Sequence, residues 1–185
     1  PIKKDNKEKI KQDINNIIEK SSSEYIIFAE NNFPDIIDNS NNKPLFMNIE
    51  NEQKVIIGAT RVDKLTYYNS LILFEKNQTQ YFDKQILVPF GEFLPLRKYL
   101  KFMETISGTE DFEKGKGERI LITRDNTKIL PVICYEIIFD KIFKNLNEKD
   151  IDVIINITND SWFGSLIGPY QHLYISRARA VEYNK

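Results

Sequence analysis

This 185-residue chain is short of several things: it has one cysteine, one histidine, one tryptophan and a formal net charge of only -1. A lone cysteine makes no internal disulfide, and with a lone histidine there is no Cys/His set of the kind that holds structural zinc. The redox compartment stays open on the same grounds. Near-zero net charge offers no polyanion-seeking surface, so composition gives nucleic-acid binding no support. No apolar run approaches the ~20 residues that span a bilayer, and Pro1-Ile2-Lys3-Lys4 does not open a signal peptide. The chain by itself reads as soluble, without a transmembrane segment. What it does have, 41% hydrophobic and 12% aromatic residues, is enough to bury a core and fits one domain over residues 1–185.

Periodicity sketches the elements. Ile10, Ile14, Ile17 and Ile18 recur at helical spacing between Asp5 and Lys20, predicting an amphipathic helix. Tyr25 to Phe28 and Val55 to Ala59 read as buried strands, with a short helical turn at Pro34 to Ile37 in the Asn-rich segment between them. Thr66 to Phe74 and Thr79 to Phe82 predict one hairpin, Ile120 to Thr123 and Ile129 to Ile133 a second. Leu87 to Tyr99 and Met103 to Gly117, interrupted by Pro and Gly, predict packed irregular loops of the kind that shape a site. Ile137 to Leu146 fits a helix, Val153 to Ile157 a strand, and Pro169 to Tyr183 a last helix with proline at its start. Helices alternating with apolar strands and hairpins give an α/β layered domain.

Three expected strand ends carry chemistry: Glu30 after YIIFA, Lys84 after TQYFD and Cys134 after ILPVI. Strand ends on one sheet edge converge in many folds. A thiol needs a base to become a thiolate, which Glu30 supplies, and a cation such as Lys84 stabilises the oxyanion when that thiolate attacks a carbonyl. The plainer readings are inert packing for Cys134, solvated charges for Glu30 and Lys84, and surface carboxylates or salt-bridge partners for Glu92 and Glu136. His172 suggests a Cys-His pair, but a base is already at hand in Glu30, and a packing or supporting role suits its helix better. Arg177 and Arg179 on that helix read as ion-pairing residues.

The strings FAENNFPD, KQILVPFGEFLPL, VICYEIIF and NITNDSWFGSLIGPYQHLYISRARAVEY resemble, in order, the signature motifs of the nitrilase (carbon-nitrogen hydrolase) superfamily. Within it they are most similar to the catalytic domain of the apolipoprotein N-acyltransferase family. The resemblance implies a nitrilase-like αββα sandwich with Glu30 as general base, Lys84 as oxyanion-side cation and Cys134 as nucleophile. It also implies supporting roles for Glu92, Tyr135, Glu136 and Trp162. The chemistry implied is acyl transfer from a phospholipid donor, through a Cys134 thioester, to the N-terminal amine of a diacylglyceryl-cysteine apolipoprotein, with no metal or organic cofactor. The family's setting is the bacterial inner membrane, its catalytic domain facing the periplasm.

Against the family pattern, a strand before the first helix and a segment after Glu182 are missing, so the sandwich is expected to be incomplete at both ends and marginally stable. Two other readings remain at this point. One is a soluble superfamily amidase acting on a small C–N substrate, and the other is an inactive fragment that keeps the fold.

Overall fold

The computed structural model describes residues 4–38, 49–50, 52–95, 111–144, 150–164 and 166–185. Helix α1 (Lys4–Lys20) places Ile14 and Ile18 one turn apart on a single face, and both are buried. That face lies on a five-stranded sheet made of β1 (Tyr25–Ile27), β2 (Ile37–Asp38), β3 (Lys54–Asp63), β4 (Thr66–Glu75) and β5 (Gln78–Asp83). The order is β1-β3-β4-β5, with β1 and β2 pairing in parallel with successive halves of β3. Strands β3, β4 and β5 form an antiparallel meander. A second sheet joins β6 (Leu121–Ile122), β7 (Lys128–Ile133) and β8 (Val153–Ile157), antiparallel and then parallel.

Strand alternation sorts the apolar side chains into layers. Val55, Ile57, Ala59, Ile72 and Phe74 face α1, while Ile56, Leu71, Leu73 and Phe82 meet Ile129, Ile133, Ile155 and Ile157 between the sheets. Leu130 and Val132 point out the far side of β7, under Ile137, Ile142 and Phe143 and against Ile175 and Tyr183 of helix α2 (Gly168–Tyr183). The result is the expected αββα stacking. The C-terminal ends of β5 and β7 are tied together through the Glu136 carboxylate, which accepts from the N–H groups of Gln85, Ile86 and Ile133, and that edge carries the site.

Several local expectations give way to tertiary context. Ile17, counted in the helical stripe, sits at its rim and is 51% exposed. Pro34 to Ile37 is no helical turn; Ile37 instead begins β2, where it buries its side chain in the α1 layer. Strand β3 runs on to Asp63 because a tight turn at Lys64 and Leu65, both at positive φ, returns the chain directly into β4. Neither residue is a usual choice there, which hides the turn from sequence reading.

The expected helix over Ile137 to Leu146 is replaced by two 3-10 turns, Cys134–Ile138 and Asp140–Ile142, separated by Phe139 in an extended conformation. There the Arg179 guanidinium donates to the Ile137 and Ile138 carbonyls, at 3.2 Å each, which an α-helix would give to its own N–H groups. Residues 145–146 of that expected helix lie outside the described residues, as do 96–99 and 103–110 of the two irregular loops. Over 87–95 the backbone is irregular as expected, closing a turn through Glu92 N–H to the Val88 carbonyl at 2.9 Å.

Candidate active site

Glu30, Lys84 and Cys134 each sit just beyond a strand end. Lys84 directly follows β5, and its backbone is held on both sides: its N–H donates to the Asn69 carbonyl and its carbonyl accepts from Gly115 N–H, each at 2.8 Å. Glu30 lies in the turn after β1, which rests on β3 at Gly58; Gly58 N–H donates to the Ala29 carbonyl at 3.2 Å. A Cβ at Gly58 would come within 2.5 Å of the Glu30 Cα and 2.6 Å of the Ala29 carbonyl oxygen, both backbone atoms. Gly58→Ala should therefore cost about 1–3 kcal/mol by overpacking and displace Glu30. Thermal melting with a Cys134 acylation assay checks this, and unchanged behaviour in both would mean the turn yields freely.

Lys84, only 1% exposed, is surrounded by carboxylates. Its Nζ donates to Glu92 Oε1 at 2.9 Å and stands 3.6 Å from Glu30 Oε1. Asn69 Nδ2 bridges the same two carboxylates, donating to Glu30 Oε1 at 2.8 Å and Glu92 Oε1 at 2.6 Å. The outer oxygens are fixed by backbone: Glu30 Oε2 accepts from Asn159 N–H at 3.0 Å and Glu92 Oε2 from Val88 N–H at 2.8 Å. Burial opposes the Lys84 cation, but the charges of Glu92 and Glu30 outweigh it and hold its pKa above the ordinary lysine value.

Cys134 follows β7 and opens a 3-10 turn at φ +52°, a left-handed conformation that is costly for a residue with a Cβ. The side chain is buried among Ile56, Leu71 and Ile133 on the inner face of the sandwich. Burial pushes the thiol up, and the Glu30 charge pushes it further. Lys84, the Thr158 hydroxyl and the Tyr135 backbone pull it down, leaving it raised to about 11. The resting cysteine is thus a protonated thiol whose charge environment is set by Glu30 and Lys84.

Glu136, fully buried, lies beneath this turn and binds five donors. Its Oε1 accepts from Gln85 N–H, Ile86 N–H and the Arg119 guanidinium at 2.9–3.0 Å, and its Oε2 from Ile133 N–H at 3.1 Å and Arg119 at 3.2 Å. One carboxylate thereby joins the segment following Lys84 to the residue preceding Cys134. Tyr135 stacks on the His172 ring, centroids 4.8 Å apart. The backbone of Trp162 lies in the 3-10 turn Asp160–Phe163; its side chain is outside the described part of the structure.

The geometry therefore gathers Glu30 and Glu92 around Lys84, and the charges of Glu30 and Lys84 act on the Cys134 thiol, with Glu136 as an anchor and Tyr135 at the flank. Sequence reading missed Asn69, Arg119, Thr158 and Asp160. The pair Asn69-Ser70, polar in the middle of an apolar strand, was a usable signal for the first. Arg179 does pair ionically, reaching Glu182 at 2.7 Å and Asp140 at 3.4 Å. Among the described residues no three His, Cys, Asp or Glu side chains gather as a metal ion would require.

The family model for carbon-nitrogen hydrolases matches residues 38–185. Among curated proteins, the apolipoprotein N-acyltransferase of Rickettsia typhi is 48% identical over 122 residues, covering 65% of this chain and 24% of that protein. Its counterpart in Wigglesworthia glossinidia brevipalpis is 36% identical over 180 residues, 89% of this chain and 35% of the relative. The chain thus spans between a quarter and about a third of these relatives.

Solved structures share the fold. XC1258 of Xanthomonas campestris, a CN-hydrolase superfamily protein with an arsenic adduct in its active site, superposes with TM-score 0.69 at 15% identity over 95% of this chain and 66% of that one. Saccharomyces cerevisiae Nit3, of the nitrilase superfamily, gives 0.66 at 19% identity over 99% and 68%.

Proposed function

We propose, from the premise that this chain belongs to the carbon-nitrogen hydrolase family, that it carries the acyl-transfer chemistry of an apolipoprotein N-acyltransferase, with Glu30, Lys84 and Cys134 as catalytic residues. The observation that carries the reading is the enclosed Glu30–Lys84–Glu92 cluster coupled to a cysteine on a left-handed turn. The identity with curated N-acyltransferases points to acyl transfer in preference to hydrolysis of a small C–N substrate.

In the first half-reaction Glu30 takes the thiol proton, and the Cys134 thiolate attacks the ester carbonyl of a phospholipid acyl chain. The oxyanion faces the Lys84 ammonium, whose position is set by Glu92 and by two backbone bonds, so little reorganisation is needed as charge develops. Collapse breaks the ester C–O bond, and the leaving lysophospholipid alkoxide takes the proton back from Glu30. In the second half-reaction the free amine of a diacylglyceryl-cysteine attacks the thioester. Glu30 receives the amine proton and passes it to the departing thiolate, leaving an amide and the original thiol. Glu92 and Asn69 keep the Glu30 and Lys84 side chains apart and aligned, while Glu136 fixes the turn beneath the nucleophile. The membrane supplies both lipid substrates, and the setting proposed is the periplasmic face of a bacterial inner membrane. Among the described residues no helix is long and apolar enough to cross a membrane.

Mass spectrometry after incubation with phosphatidylethanolamine in detergent tests the reading. A hydroxylamine-labile acyl adduct on Cys134, absent from Cys134→Ala, is the expected result. A folded protein that forms no adduct, while cleaving a small amide, would move the assignment to an amidase.

A further inference from the structure

His172 is the most enclosed polar group next to the nucleophile that the proposed chemistry leaves unused: it is 1% exposed and lies in the first turns of α2. Its Nε2 stands 3.1 Å from the backbone carbonyl of Cys134, an oxygen that can only accept, so the imidazole donates there. The ring therefore addresses the main chain of the cysteine and leaves the thiol to other groups. On the opposite side Nδ1 lies 2.8 Å from Asp160 Oδ1 and 3.4 Å from the Thr158 hydroxyl, which itself donates to Asp160 at 3.0 Å. Tyr135 covers one face of the ring, and Ser176 donates to the His172 carbonyl at 3.0 Å. A ring held at both nitrogens and on one face has a single orientation.

The carbonyl that it grips belongs to the one residue of the site with a strained backbone, Cys134 at φ +52°. Such a conformation persists only where neighbouring groups over-determine it. Two side-chain bonds flank the cysteine itself, before and after it in the backbone. Glu136 accepts from the N–H of the residue before it, and His172 donates to the carbonyl of the cysteine. We infer that His172 is a positioning residue for the nucleophile: oriented by Asp160, it holds the Cys134 carbonyl and with it the left-handed turn that presents the thiol to Glu30 and Lys84.

The inference deepens the acyltransferase reading and rests on it for the substrate, but its test does not depend on that substrate. Two variants of similar bulk separate positioning from packing. In His172→Gln the side-chain amide reaches about as far as Nε2 and still donates to the carbonyl. In His172→Asn the amide stops near the Nδ1 position, keeping the Asp160 contact and losing the carbonyl. Melting curves of the full chain establish that both are folded.

The rate of Cys134 acylation by phosphatidylethanolamine should fall about a hundredfold in His172→Asn, the scale of an ångström of misplacement, and less than tenfold in His172→Gln. Labelling of Cys134 by iodoacetamide at pH 8 should move the other way, rising several-fold in His172→Asn as the released turn exposes the thiol and relieves its burial. Equal rates in the two variants, for acylation and for labelling alike, would overturn the positioning role. If the unsubstituted protein takes no acyl group, the acyltransferase reading fails, and the labelling comparison alone decides whether His172 positions the cysteine.

Discussion

Glu136→Ala should lower unfolding free energy by about 3–5 kcal/mol, the scale for removing one partner of a buried ion pair. The Arg119 guanidinium would lose the carboxylate that it touches through two nitrogens, and the N–H groups of Gln85, Ile86 and Ile133 would lose their acceptor in an interior closed to water. Against a usual total of about 5–15 kcal/mol, that is a third or more of the stability of a typical domain. Glu136→Gln is a useful companion because it keeps the shape. Its amide nitrogen must face donors, since Oε1 and Oε2 each accept from backbone N–H and from Arg119, so it too should destabilise, by less than the alanine. Urea denaturation of the three proteins measures the difference. A loss under about 1 kcal/mol for the alanine variant would mean that the five bonds are replaced by other contacts or by water, and that the carboxylate is not the tie between the Lys84 and Cys134 segments.

Glu30→Gln should have opposite effects on the two reactions of Cys134. Without a base the formation of the acyl adduct should slow by roughly 10²–10⁴-fold, the usual contribution of general-base catalysis. The thiol itself should become more reactive toward iodoacetamide. Its pKa is pushed up to about 11 by burial first and the Glu30 charge second, with Lys84 pulling down. Removing the Glu30 charge lowers that value, so at pH 8 to 9 more thiolate is present. Because intrinsic nucleophilicity falls along with the pKa, each tenfold gain in thiolate raises the labelling rate by only about threefold. The labelling rate of the unsubstituted protein should climb with pH toward about 11, and that of Glu30→Gln should reach its midpoint at lower pH. A stopped-flow or mass-spectrometric time course over this range distinguishes the cases. Parallel slowing of both reactions would mean that Glu30 acts by maintaining the fold and not as a base.

The layered architecture was legible in the sequence because strand and helix periods are local. Ile14 and Ile18 at one-turn spacing, the short apolar runs within β3 and β4, and the Lys76-Asn77 turn before β5 each announce their element. The exceptions are instructive. Lys64 and Leu65 make a tight turn without glycine or asparagine, and a helical pattern after Cys134 is overridden where the distant Arg179 guanidinium takes the Ile137 and Ile138 carbonyls that a helix would pair with its own N–H groups. Asn69 gave only a weak sign, a polar residue inside an apolar run; its role as a bridge between two carboxylates exists only once β1, β4 and the loop after β5 are brought together.

Sequence by itself determined the reactive types and their order: a glutamate, a lysine and a cysteine, each following an expected strand. Their residue types and motifs do not depend on folding. Only the tertiary structure decided that Glu30 and Glu92 share one lysine, that the thiol is held protonated by burial and by a neighbouring charge, and that His172 binds the carbonyl of Cys134 and not its sulfur. Those outcomes depend on distance, burial and backbone conformation among residues up to 129 positions apart in the chain, as for Asn159 on Glu30. Such quantities arise from how the layers stack, and no local pattern encodes them.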